Sequence, residues 1–237
     1  MRFDLLATSD FFFSSQGIPS KVFEKTESTS TLAKADAEKA TAPLTIYIAT
    51  HQTAGRGRGS NTWVSNPGEA FLTSWSYALD KSPQPIMSPL IGLAIYEAAC
   101  GVWPQLKFSL KAPNDIYLNG KKVIGILIEA VQGPTTRLIV SFGCNVFGSP
   151  ASVPTATSLC AEHAGLTSAE WKKFLSHSSV KVKTAVQAGT QAALNRTACD
   201  SLCKALNSHP NLLDKFVSVE PDGSLRSATG TTPWQDL

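Results

Sequence analysis

Alternation of side chains over residues 70–79, with Phe71, Thr73, Trp75, Tyr77 and Leu79 on one side, predicts a half-buried strand. Shorter β-prone runs precede it at 21–26 and 44–49. Between them Ser28-Thr29-Ser30-Thr31 supplies helix N-cap candidates, followed by a helix-forming run that ends near Ala40. Ser88-Pro89 puts proline at a first helical position, and Leu90, Leu93, Ala94 and Ala98 mark the apolar face of a helix that ends by Gly101 or Pro104. Strands are expected at 106–110 and 116–118. Asn119-Gly120 then provides the preferred two-residue hairpin loop before a strand over 121–129. A second hairpin turns at Gly133-Pro134 and continues from Leu138 to Val146. Beyond residue 150 the pattern is helical over 155–164, 168–176 and 180–208, and a last hairpin joins 216–219 to 225–227 through Asp222-Gly223. This order predicts an α+β fold: a mixed, largely antiparallel sheet with flanking helices, in a domain over 1–213, and a short C-terminal β hairpin over 214–237.

Composition narrows the classes. With 237 residues, 43% of them hydrophobic, the chain can bury a core, which excludes disordered and collagen-like architectures. A net charge of +3 does not announce a nucleic-acid binder. No apolar run approaches a membrane span of about 18 residues, since Pro89 and Glu97 interrupt the best candidate at 86–103. Asp4 and Asp10 break the apolar N-terminal stretch and argue against a signal peptide. A soluble, cytoplasmic protein without a membrane partner is the expectation. The five cysteines are scattered without a Cys-x-x-Cys pair, and the four histidines do not cluster with Cys199 and Cys203, so reduced thiols are expected in place of a metal site.

Four stretches carry candidate chemistry. Gly55-Arg56-Gly57-Arg58-Gly59 combines flexible backbone with two guanidinium groups, a combination suited to phosphate or carboxylate oxygens. A basic surface turn or an RGG-type RNA contact would use the same residues. Asn114-Asp115, shortly after Lys111, offers oxygens that suit Mg2+, although both residue types also favour turns for local reasons. Lys121-Lys122 reads as a solvated hairpin edge, but Gly125, small in a strand of bulky residues, marks a point where a ligand approaches. Gly143-Cys144-Asn145 sets a polar side chain at the end of an apolar strand, as a ligand or as the strand's terminus.

Taken together, Gln52-x-Ala54-Gly55-Arg56-Gly57-Arg58, Trp63-x-Ser65, Lys111-x-Pro113-Asn114-Asp115-Ile116, Lys122-x-x-Gly125-Ile126-Leu127-x-Glu129 and Gly143-x-Asn145 resemble the catalytic domain of biotin–protein ligases. Order and spacing agree from about Phe23 to Phe147. The likeness weakens through the following helices and returns over 219–234, where Asp222-Gly223-Ser224-Leu225 and Pro233-Trp234 look like the closing strands of the family's small C-terminal β domain. The 214–237 hairpin would be its shortened remnant. The resemblance implies an ATP-dependent ligase with two steps. Biotin carboxylate attacks the α-phosphate of ATP, giving biotinyl-5'-AMP and pyrophosphate, and a lysine of a biotin carboxyl carrier domain then attacks the mixed anhydride and releases AMP. Anionic groups converge in such a site, which calls for Arg, Lys and Mg2+.

By the same resemblance, Ser28, Thr29 and Gln52 match the ureido-binding set, with Gly55, Arg56 and Gly57 completing it through the backbone. Trp63 matches the aromatic residue after the loop, and Gly125 admits the ligand. Arg58 and Lys122 match the catalytic charges on carboxylate and α-phosphate. Lys111, Asn114, Asp115 and Asn145 match the ATP side, with Asp115 and Asn145 as Mg2+ ligands. There are departures: Gly59, Ser60, Asn61 and Thr62 stand where the family usually continues with arginine, Ala112 replaces an aromatic residue, and Ser141 stands where glycine is common. Arg58, Lys122 and Asp115 are retained, so an active enzyme is expected. Residues 53–62 hold three glycines and no large apolar anchor, which predicts a mobile loop whose Arg58 closes on the adenylate. About twenty residues precede the first catalytic strand, too few for a helix-turn-helix, so a monofunctional ligase without a DNA partner is expected, with a homodimer as a further candidate. The rival readings are a lipoate–protein ligase-like acyl-adenylate enzyme and an RNA-binding protein using Arg56 and Arg58. The Gly-Arg-Gly-Arg and Pro-Asn-Asp motifs argue against the first, and the acid/base balance argues against the second.

Overall fold

A computed structural model describes residues 2–237. In chain order the elements are α1 (Leu5–Ser15), β1 (Ser20–Thr26), α2 (Thr29–Ala35), β2 (Leu44–Gln52), β3 (Ala70–Leu79), α3 (Met87–Val102), β4 (Phe108–Lys111) and β5 (Asp115–Leu118). There follow β6 (Lys121–Val131), β7 (Thr136–Asn145), α4 (Leu159–Glu162), α5 (Ser168–Ala188), α6 (Arg196–Asn207), β8 (Phe216–Val219), β9 (Leu225–Ser227) and β10 (Gly230–Thr232). They form two units: the chain up to Ser82 with Val123–Leu175, and Pro83–Lys122 with Ser176–Leu237.

In the first unit the strands run in the order β1-β2-β3-β7-β6, parallel between β1 and β2 and antiparallel elsewhere, which is the mixed sheet the pattern predicts. Side chains alternate across a strand, so β3 supplies two different faces. One carries Phe71 and Trp75, which meet Phe142 of β7 edge to face. Phe13 of α1 packs on Trp75 at 5.6 Å between ring centres, and Trp171 of α5 on Phe71 at 5.2 Å. The Trp171 indole N–H donates to Ser9 Oγ at 2.9 Å, so its one polar group stays satisfied in the core. The hydrophobic pattern did not point to α1. The helix starts on Asp4, whose carboxylate accepts from the Ala7 N–H, and its burial comes from tryptophans remote in sequence. The other sheet face carries α2, with Ala33 packed against Tyr47 and Ile139.

In the second unit α3 and α6 pack on β4. The β5–β6 turn has Asn119 at φ 49° and Gly120 at φ 77°, the left-handed pair its sequence calls for. Two helical expectations change. The segment 155–164 keeps only the single turn α4, and α5 runs unbroken through the serines at 176–179 because Ser178 is buried in the stripe of Phe174, Leu175, Val182 and Val186. The break falls instead after Ala188, and Asn195 caps α6 by accepting from the Ala198 N–H. At the C-terminus the expected β8–β9 pairing gains β10 as a third antiparallel strand. All five cysteines are free thiols, and no described helix is long and apolar enough to cross a membrane.

Candidate active site

In the first unit the site face gathers neutral hydrogen-bonding groups. Ser28 sits at the N-cap of α2 but its side chain makes no capping bond, so capping does not occupy its hydroxyl. Gln52 ends β2, and its Oε1 accepts from the Thr29 N–H at 2.7 Å and from the Thr29 hydroxyl at 3.0 Å. Ser74 of β3 donates to Thr29 Oγ1 at 2.8 Å and lies 2.7 Å from the hydroxyl of Ser141, its register partner on β7. Two residues along β7, Gly143 pairs with Gly125 of β6 and leaves a strip of bare backbone. A Cβ at Gly143 would fall inside the Trp63 indole, which explains why the sheet is stripped to glycine there.

The Gly/Arg loop is tied down at its base. The Trp63 N–H donates to Gly55 O at 2.9 Å, Arg56 bridges Thr62, and the Gly57 N–H donates to Asn61 O at 2.9 Å. The turn from Arg58 to Asn61 forms the tip, with Arg58 half-buried. Residues 53–62 carry no large apolar side chain, and just beyond them Trp63 is seated on Gly143 and fixes the base of the loop. A second anchor is ionic: the Arg56 guanidinium lies 3.2 Å from Glu129, which also holds Lys34 at 2.8 Å and Ser30 at 2.5 Å. Burial pushes the Glu129 carboxyl up, but hydrogen bonds from Lys34 and Ser30 and the charges of Lys34 and Arg56 outweigh it, and its pKa lies below the usual carboxylate value. Arg56 thus has its side chain directed at Glu129, leaving its backbone as the part suited to a ligand. At the end of β7, Asn145 Nδ2 donates to Thr157 O at 3.0 Å, while its Oδ1 is a buried acceptor with no hydrogen-bond partner among the described residues.

Of the charged candidates, Arg56 and Arg58 belong to the first unit, and Lys111, Asp115 and Lys122 to the second. Asp115 opens β5 opposite Lys111 of β4, and the Lys122 ammonium lies 2.6 Å from the Asp115 carboxylate. Lys111 reaches the Tyr117 hydroxyl at 3.4 Å and stands 5.3 Å over its ring. His209 meets Tyr117 edge to face, with its Nδ1 3.1 Å from Ser109 Oγ. Burial and the charge of Lys111 hold that imidazole below its ordinary pKa. The Ala112-Pro113-Asn114 turn is gripped from the C-terminal segment, where Trp234 Nε1 donates to Pro113 O at 3.0 Å.

Three participants were not among the sequence candidates for the site. Glu129 was visible only as the last residue of the Gly125 motif. Ser74 had the weak signal of a polar side chain on the reverse of an alternating strand. Trp234 had a family likeness but no hint of its bond to Pro113. No cluster of three or more His, Cys, Asp or Glu side chains able to hold a metal occurs among the described residues.

Known proteins resemble this chain in sequence and in fold. The chain is 36% identical over 119 residues to the bifunctional ligase/repressor BirA of Bacillus subtilis, covering 46% of this chain and 35% of that protein. It is 38% identical over 112 residues to a biotin–[acetyl-CoA-carboxylase] ligase of Paracoccus denitrificans, covering 44% and 45%. The match thus spans roughly a third to under a half of these relatives. In fold, it is similar to the biotin protein ligase of Aquifex aeolicus in complex with biotin and ATP, with a TM-score of 0.66 over 90% of this chain and 94% of that one at 23% identity. The model of the biotin/lipoate A/B protein ligase family covers residues 22–146, from β1 through Asn145 and its buried acceptor, and with more than half of its 237 residues so matched this chain belongs to that family.

Proposed function

We propose that this protein condenses biotin with ATP to biotinyl-5'-AMP and passes the biotinyl group to a lysine of a biotin carboxyl carrier domain. The observation that carries the reading is the Thr29–Gln52 pair beside the bare Gly125–Gly143 backbone under the Trp63 indole. A neutral cyclic urea asks for hydroxyl and amide partners, and its apolar ring system asks for a flat wall. Ser28, Thr29 and Gln52, with the backbone of Gly55–Gly57, take the urea, and Trp63 and Gly125 line the ring. Lys122, steadied by Asp115, and Arg58 offset the charge of the carboxylate and α-phosphate. A carboxylate oxygen bonds to the α-phosphorus as pyrophosphate leaves. The acceptor lysine's amine then bonds to the acyl carbon as the anhydride C–O bond breaks and AMP departs with its charge, the amine proton passing to solvent.

On the nucleotide side, Lys111 and Asn114 complete the phosphate contacts. Asp115 in the second unit and Asn145 in the first are each candidate ligands for Mg2+, which would supply charge neutralisation on the phosphates; the unpartnered Asn145 Oδ1 supports its own candidacy. Residues 1–213 form the catalytic body in this reading, and 214–237 support it through Trp234, as a cytoplasmic enzyme acting on a carrier protein and able to pair as a homodimer. The test is ATP–pyrophosphate exchange with biotin and with lipoate side by side. Biotin-dependent exchange is the expected result; exchange with lipoate alone, or with neither acid, overturns the proposal.

A further inference from the structure

The hydroxyls behind Gln52 form a directed chain. The Thr29 N–H can only donate, so the Gln52 amide must present Oε1 to it, and the Thr29 hydroxyl donates to the same oxygen. Thr29 Oγ1 is then an acceptor, and Ser74 gives it its only hydroxyl proton. Ser74 in turn accepts from Ser141 across the β3–β7 register. The sequence of donors is Ser141, Ser74, Thr29, Gln52, and it admits no reversal. Ser74 is fully buried and Ser141 is 8% exposed, so neither hydroxyl has ready water as a substitute partner. With Oε1 committed, Gln52 directs Nε2 toward the loop, 3.1 Å from where a Cβ on Gly55 would stand. That end of the pocket offers N–H donors and so asks its ligand for a carbonyl acceptor.

We propose that Ser74 and Ser141 are positioning residues for substrate choice: they hold the Thr29 hydroxyl proton on Gln52 Oε1 and so reinforce the amide orientation that the Thr29 N–H sets, with the result that the pocket takes a cyclic urea and refuses an acid whose head group lacks a carbonyl acceptor, such as a dithiolane or a plain alkyl chain. The inference rests on the biotin reading above. Neither serine belongs to the ureido set implied by the family resemblance, and Ser141 occupies a position where glycine is common. The physical basis is that a site built around hydrogen-bonded polar groups penalises a ligand that leaves them unpaired far more than a merely apolar pocket does. Without Ser74, the Thr29 hydroxyl is free to turn, and the amide of Gln52 keeps only the backbone N–H as its guide.

The experiment is calorimetric titration of the full chain, without nucleotide, with biotin, desthiobiotin and lipoate, on the wild type, Ser74→Ala, Ser141→Ala, Ser141→Thr and the Ser74→Ala/Ser141→Ala double variant, with melting curves for each. Ser74→Ala should weaken both urea ligands about tenfold, the scale of one buried hydrogen bond left unmade, and Ser141→Ala about threefold. Ser141→Thr keeps the hydroxyl and should restore binding. Because Ser141 acts only through Ser74, the double variant should bind no worse than Ser74→Ala. In turnover the losses should fall on KM for biotin rather than on kcat or KM for ATP, and the preference for biotin over lipoate should shrink. Wild-type affinity in a folded Ser74→Ala protein, losses that multiply in the double variant, or losses in kcat each overturn the relay. If Ser74→Ala does not fold, Ser141→Ala decides alone, and unchanged biotin affinity in it has the same force. A wild type that does not bind biotin at all instead overturns the biotin reading, and the relay with it.

Discussion

Two regions, the hydroxyl chain of the first unit and the charged hairpin of the second, solve opposite problems of solvation. In the first, Thr29, Ser74 and Ser141 are uncharged and buried, and each hydroxyl is hydrogen-bonded to the next. In the second, Lys122 and Asp115 stay partly in water, with side-chain exposures of 30% and 18%. Neutral groups can be taken out of solvent cheaply once they are paired, whereas desolvating ions costs several kcal/mol each in effective terms. The neutral pocket is therefore preorganised and sensitive to geometry, while the charged hairpin keeps its groups within reach of a polyanion and is sensitive to charge number and salt.

The largest expected effect tests the charged side. Lys122→Ala should slow adenylation a hundredfold or more, the scale of removing one preorganised electrostatic contact, while biotin affinity measured without nucleotide falls much less. Exchange close to wild type would make Lys122 an ordinary hairpin lysine. Asp115→Ala should raise the ATP or Mg2+ requirement by roughly tenfold to a few tens of fold, as expected for a group that orients another charge. Calorimetry should find biotin binding nearly intact; loss of biotin binding together with the melting transition would make the turn structural and erase the contrast.

On the neutral side geometry should matter more than charge. Gly143→Ala puts a methyl into the Trp63 indole, an overpacking change worth about 1–3 kcal/mol. Biotin affinity should fall about tenfold on that scale, with the KM for ATP unmoved, and indole fluorescence should report a displaced Trp63. The smallest effect belongs to Glu129. Its carboxyl titrates below the ordinary glutamate value of 4.5, so its hold on Lys34 and Arg56 contributes stability at pH above that value and loses it as pH falls through the lowered pKa. Glu129→Gln should raise the KM for biotin a few-fold and flatten the acid limb of the melting temperature below about pH 4.5. An acid limb identical to wild type would show that the loop does not depend on this ion pair.

How much of this was legible depends on the range of the interaction. Turns and local pairings are written in adjacent residues. Asn119-Gly120 is left-handed at both positions because of what those two residues are, and the alternation of β3 fixes which side chains share a face before any neighbour is known. The chemical types were legible in part: by residue type the Gly55–Gly59 loop suits phosphate or carboxylate oxygens and Asn114-Asp115 suits Mg2+, whereas Lys122 reads as a solvated hairpin edge and takes its anion-binding role only from the family resemblance.

Tertiary structure decided whatever depends on partners far along the chain. Helix α1 has little amphipathic signal of its own and exists as a packed element because Trp75 and Trp171 receive Phe13 and Ser9. Helix α5 crosses a serine run because burial of Ser178 keeps its stripe continuous. The base of the Gly/Arg loop is held by Trp63 on Gly143 and by Glu129 under Arg56, contacts across 80 and 73 positions that no local pattern encodes. The direction of the Ser141–Ser74–Thr29–Gln52 chain follows from one backbone N–H that cannot accept a hydrogen bond. Sequence determined which groups are present and which strand faces they occupy, because those depend on residue type and a period of two. Only the folded chain decided which groups meet and which way their protons point, because hydrogen bonds and packing act over a few ångströms whatever the separation in sequence.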